Sequence, residues 1–123
     1  PLDVTHKVLA NKNRIESIRA IGNKASDALA GMLSFYGRYN SKKYGDEGAP
    51  LHDPTTIAWL LEPDLFRGKL CNVEIEIESE LTRGATVVDW WGVTNREKNA
   101  LVINSVDAQG FFELLNKRLA NLS

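Results

Sequence analysis

The 123-residue chain holds one cysteine, one methionine and two histidines, and its charges nearly cancel, with 15 Lys and Arg against 16 Asp and Glu. Each shortage excludes something. A lone thiol, Cys71, closes no intrachain disulfide and builds no multi-thiolate metal site, so nothing calls for an oxidising compartment and a cytoplasmic location is expected. A net charge of −1 supplies no field to gather phosphates, which argues against nucleic acid as a partner. The longest unbroken apolar run, Ile57 to Leu61, falls far short of the roughly 20 residues a membrane-spanning helix needs, so no membrane partner is expected. No glycine-rich phosphate loop, His-x-x-x-His spacing, regular calcium loop or glycine-framed serine elbow is present. Cys71 falls on the inward face of an alternating pattern, which discounts it as a nucleophile.

What is present is a composition fit for a globular core: 43% of residues are hydrophobic and 25% charged. A chain of this size buries roughly two-thirds of the surface its unfolded form exposes, enough for one core without staples. Residues 1–123 therefore read as a single domain or fragment. Pro1 is not an initiator Met, and Pro1 to His6 reads as the end of a strand and the loop beyond it, so processing, truncation or an upstream partner segment is expected.

Asn11 or Asn13 can cap a short helix carrying Ile15, Ile18 and Ile21, which stops at Gly22-Asn23. A longer helix is predicted from about Lys24 to about Asn40, with Ala25, Leu29, Met32, Leu33 and Tyr36 as its apolar stripe and Tyr36 in the core. Ser41 to Leu51 lacks an apolar period and reads as an exposed loop. A third helix opens at Asp53-Pro54 and closes at Pro63. After Gly68 the period becomes two: Cys71, Val73, Ile75 and Ile77 form the buried face of a strand, and Glu74, Glu76, Glu78 and Glu80 a solvated one. Strands from about Ala85 to Trp91 and from Ala100 to Asn104 follow, all three antiparallel, and Asp107 caps a terminal helix. One indole of Trp90-Trp91 is expected in the core.

Leu51-His52-Asp53-Pro54, where the loop meets a helix N-terminus, is the one constellation with chemistry in it. In one reading the Asp53 carboxylate accepts the backbone N–H of Thr55 or Thr56 as a cap, and His52 is merely its neighbour. In the other, Asp53 binds a hard cation and His52 faces a substrate, where an imidazole suits proton donation to a leaving group. A carboxylate has lone pairs for both tasks, so the readings coexist.

Three separated blocks carry a resemblance: Pro1-Leu2-Asp3-Val4-Thr5-His6-Lys7, then Leu51-His52-Asp53-Pro54, then Glu80-Leu81-Thr82-Arg83-Gly84-Ala85-Thr86-Val87-Val88-Asp89. In this order they resemble the C-terminal part of the inosine-uridine-preferring nucleoside hydrolases. The resemblance implies an α/β fold of Rossmann-like build, here its C-terminal part, with helices followed by a three-stranded antiparallel segment and a terminal helix. It implies hydrolysis of the N-glycosidic bond of ribonucleosides with one bound calcium ion. By the same resemblance Asp53 matches a calcium ligand and His52 the histidine that contacts or protonates the departing base. Arg38, Tyr39 and Tyr44 lie in the helix end and loop that close over the base, with Tyr39 and Tyr44 preferred to Tyr36. Thr82-Arg83-Gly84 serves as a signature with a structural role.

The family's aspartate-rich N-terminal segment and its ribose-holding residues are absent from this sequence. Calcium takes 6–8 oxygen ligands as a rule, whereas Asp53 has only Asp46 and Glu47 near it in sequence. The calcium site is thus expected to be incomplete, the isolated chain inactive or nearly so, and its partners a nucleoside and either further copies of itself or a missing segment. A non-catalytic α/β module that self-associates or binds a partner is the alternative.

Overall fold

Two asparagines organise the helical half of the chain. Asn11 Oδ1 accepts the backbone N–H of Arg14 at 3.0 Å and starts α2 (Lys12–Arg19), as its spacing predicts. Asn23 Oδ1 accepts that of Ser26 at 2.8 Å where α3 (Lys24–Tyr44) begins. Between them Gly22 turns the chain at φ +76°, which a residue without a Cβ adopts freely. The computed structural model describes residues 1–44 and 48–123, with the backbone alone for residues 39–44.

The opening segment is not the end of a strand. Leu2–Thr5 forms one helical turn, α1, because Val4 is drawn into the core while the N–H groups of Val4 and Thr5 close onto Pro1 O. The chain then extends through β1 (Leu9–Ala10), which pairs antiparallel with β2 (Ala49–Pro50). The predicted loop from Ser41 is therefore shorter than expected, since α3 continues to Tyr44 and β2 follows. Gly48 makes the ribbon possible: its φ is +110°, and a Cβ there would stand 2.7 Å from Asn11 N.

Helix α4 (Asp53–Leu61) and a 3-10 turn at Pro63–Leu65 lead into a sheet of β3 (Phe66–Ile75), β4 (Thr86–Asp89) and β5 (Ala100–Val106), closed by α5 (Ala108–Leu119). The sheet order is β4-β3-β5 and both pairings are antiparallel, as predicted. Asp107 caps α5 through Gly110 N at 3.0 Å. The architecture is thus α/β, with helices first, then a three-stranded antiparallel sheet and a terminal helix.

The sheet is staggered, and this corrects its expected buried face. β5 pairs with Phe66 to Cys71 and β4 with Asn72 to Ile75, so the outer half of β3 is a two-stranded arm. Cys71 is buried, but Ile75 and Ile77 are 53% and 69% exposed because no described residue covers that arm. Trp91 stands on the same arm, 82% exposed, and Trp90 is half-buried beside Lys69 rather than in the core. The core itself gathers Val8, Ile18, Leu33, Phe66, Phe111 and Phe112 from both halves of the chain. Among the described residues no helix is long and apolar enough to cross a membrane.

Candidate active site

The β1–β2 ribbon brings together segments far apart in sequence. Leu51 N donates to Val8 O at 3.0 Å, carrying the pairing one residue beyond β2. The next residue, His52, thereby lies beside α1. Its Nδ1 is 2.8 Å from Thr5 Oγ1, across 47 residues of chain. The His6 ring stands 5.5 Å from it, tilted by 50°. Among the described residues Nε2 of His52 has no hydrogen-bond partner.

Asp53 does not cap α4. The helix starts one residue earlier than the sequence suggests, with His52 in the capping position and Asp53 already inside the first turn. Thr55 N bonds to His52 O at 3.2 Å, and the Thr55 hydroxyl to Leu51 O, so the first turn is closed without a carboxylate. The Asp53 side chain is exposed and accepts no hydrogen bond among the described residues.

His52 and Asp53 share a cavity of about 320 Å³ with Met32, Tyr36, Pro50 and Pro54. Tyr36 is a correction. It is 40% exposed rather than in the core, because α3 runs on past its last core residue, Leu33. Asp53 and Pro54 also edge a second, apolar hollow of about 520 Å³ between α4 and α5, walled by Ile57, Leu61, Leu114 and Leu115. Arg38 lines a different hollow, with Glu16, Arg19 and Gly48, and its guanidinium lies 6.0 Å over the Phe35 ring. Tyr39 and Tyr44 have no described side chains, and Asp46 and Glu47 lie outside the described residues.

Among the described residues no group of three or more His, Cys, Asp or Glu is placed to hold a metal ion. Asp53 fits calcium as one open carboxylate ligand, and the described residues do not fit a complete shell of 6–8 oxygens. Two members of the acidic row are committed elsewhere: Glu74 pairs with Arg96 at 2.8 Å, and Glu76 Oε1 accepts Glu78 N and Ser79 N. Those backbone donors hold the Glu76 carboxyl below its ordinary range. Sequence reasoning missed Thr5, although it lies inside the block Pro1 to Lys7, and set Tyr36 aside.

Residues 1–113 match the family described as inosine-uridine preferring nucleoside hydrolase. The chain belongs to that family. It is 49% identical over 120 residues to a pyrimidine-specific ribonucleoside hydrolase of Shewanella sp. (strain ANA-3), covering 97% of this chain and 38% of that protein. It is 43% identical over 122 residues to an uncharacterized protein of Schizosaccharomyces pombe, covering 99% of this chain and 39% of that protein. The structure of a purine-preferring ribonucleoside hydrolase from Gardnerella vaginalis superposes with a TM-score of 0.80 at 30% identity, covering 98% of this chain and 38% of the other. The chain therefore spans about two-fifths of the length of these family members.

Proposed function

We propose that residues 1–123 are the C-terminal, leaving-group side of a calcium-dependent nucleoside hydrolase, which splits the N-glycosidic bond of purine or pyrimidine ribonucleosides into base and ribose. The observation that carries this reading is that two groups without a hydrogen-bond partner among the described residues, His52 Nε2 and the Asp53 carboxylate, lie on one cavity in a chain of this family. As the glycosidic bond breaks, positive charge grows on the sugar and the base leaves with the electron pair. His52 supplies a proton to the departing base, a role typically worth 10²–10⁴ in rate. Asp53 is one ligand of the calcium ion, whose positive charge at the site would supply Lewis-acid chemistry. The remaining donors come from residues outside this chain. Arg38, Tyr39 and Tyr44 are assigned to the segment that closes over the base.

The test uses the purified chain with calcium and inosine or uridine, measuring free ribose. The expected result is little or no turnover and no tight calcium binding by calorimetry; robust turnover lost in Asp53→Asn would overturn the shared-site reading. A chimera placing the preceding part of the Shewanella relative ahead of Pro1 is expected to be active, and to lose about 10²–10⁴ in kcat on His52→Ala. A folded chimera indifferent to His52→Ala would remove the proton-donor role. The apolar hollow between α4 and α5 favours a second reading, a module that associates with itself or a partner without catalysis. Sedimentation of the chain across a concentration series tests its self-associating form.

A further inference from the structure

A proton donor must be aimed as well as charged, since misplacement by an ångström can cost a hundredfold in rate. His52 sits between β2 and α4, at the N-cap of α4, where its side chain makes no capping hydrogen bond. Among the described residues its ring makes one hydrogen bond, between Nδ1 and Thr5 Oγ1 at 2.8 Å. The His6 ring stands beside it, tilted, at 5.5 Å between centroids.

Both ends of that hydrogen bond are anchored. On one side, Thr5 closes α1 by donating its N–H to Pro1 O and accepting Val8 N, each within 3.1 Å, while Val4 and Val8 on either side are buried. Its branched Cβ leaves few side-chain rotamers. On the other side, the Leu51 to Val8 backbone bond and the pairing of Leu9 with Pro50 hold the chain that carries His52. The separation of hydroxyl and ring is thus set by two backbone clips rather than by the side chains alone.

The protonation state needed for donation settles the direction of the bond. In the imidazolium both ring nitrogens carry protons, so Nδ1–H must donate and the threonine hydroxyl must accept. The Nε2 proton is then the one available to the cavity. When the bond between the sugar carbon and the base breaks, its electron pair moves onto the base. The Nε2–H proton passes to a base nitrogen, and the ring ends neutral with Nδ1–H still donating to Thr5.

We propose that Thr5 is the positioning residue of His52, its hydroxyl accepting Nδ1–H so that Nε2–H is presented to the cavity shared with Asp53 and Tyr36. This rests on the reading of His52 as proton donor. Thr5 touches neither base nor sugar in this scheme; it acts through the ring.

The chain has only two histidines, so ¹⁵N-histidine labelling in a His6→Gln background leaves the His52 ring alone in the spectrum. At a pH low enough to protonate the ring, the Nδ1–H proton is expected to exchange with water about tenfold more slowly in the parent and in Thr5→Ser than in Thr5→Val. Thr5→Ala is the second variant should valine disturb α1, and the backbone amide spectrum checks the fold of each. Equal exchange in the parent and in the variants lacking the hydroxyl would overturn the proposal. In the active chimera Thr5→Val is expected to lower kcat about tenfold with KM nearly unchanged, and Thr5→Ser to restore it. A protected Nδ1–H beside a chimera indifferent to His52→Ala would overturn the proton-donor reading instead, and with it the catalytic purpose assigned to Thr5, but not the hydrogen bond.

Discussion

Gly48 presses against the backbone of Ala10, so closely that a Cβ on Gly48 would stand 2.8 Å from the Ala10 carbonyl oxygen. Neither partner can yield, since both sides of the contact are main chain and φ at Gly48 is +110°. Gly48→Ala is therefore expected to destabilise the chain by about 2 kcal/mol or more. Urea denaturation checks this as a lowered midpoint at unchanged slope. Gly37, with open space around its Cα, is the control, where alanine is expected to be neutral or mildly stabilising.

The two aspartates at helix starts are expected to behave oppositely. Asp107 bonds to Gly110 N, so Asp107→Ala should cost about 1 kcal/mol. Asp53 bonds to nothing among the described residues and lies exposed, so Asp53→Ala should change stability by no more than about 0.5 kcal/mol. Equal losses at the two sites in thermal unfolding would show that Asp53 caps α4 after all.

The same Asp53 substitution should show itself through metal. In the active chimera, Asp53→Asn is expected to raise the calcium concentration for half-maximal activity by at least about tenfold, since neutralising one ligand of an oxygen shell weakens it. Calcium titration of the rate checks this, and removal of the ion by a chelator should silence the parent reversibly.

Acid should loosen the arm in a defined window. Asp89 accepts the Thr94 hydroxyl at 2.6 Å, with Thr94 N and Val93 N each at 2.9 Å. These donors, the Thr94 hydroxyl foremost, lower its carboxyl from 3.8 to about 2. Because the folded state prefers the ionised form, the contribution is complete above about pH 4 and fades as pH falls through about 2. Asp89→Asn should therefore make the melting temperature fall less steeply between these limits than in the parent. Identical slopes would show that the hydrogen bonds do not outlast solvent competition.

Features decided within a few residues were legible in the sequence. Asn11 and Asp107 each bond to a backbone N–H three residues on, and Gly22 needs only its own dihedral freedom. Asp53 misled because one residue of shift moves the capping position to His52, and composition does not resolve that shift. Ile75 and Ile77 misled for another reason: alternation reports which face a side chain takes, not whether anything covers that face. Tyr36 continued an apolar stripe past the point where the core stops. His52 and Asp53 could be singled out from their neighbours alone. The contact between Thr5 and His52 spans 47 residues and depends on a ribbon no local pattern announces.

That ribbon has only two residues in each strand. So short a clasp can spring open while the helices and sheet stay intact, since local openings cost less than global unfolding. The N–H of Leu51 lies just past its end, bonded to Val8 O, and is sealed from solvent only while the clasp is shut. Deuterium uptake at that single amide would time how often the imidazole and its threonine part company.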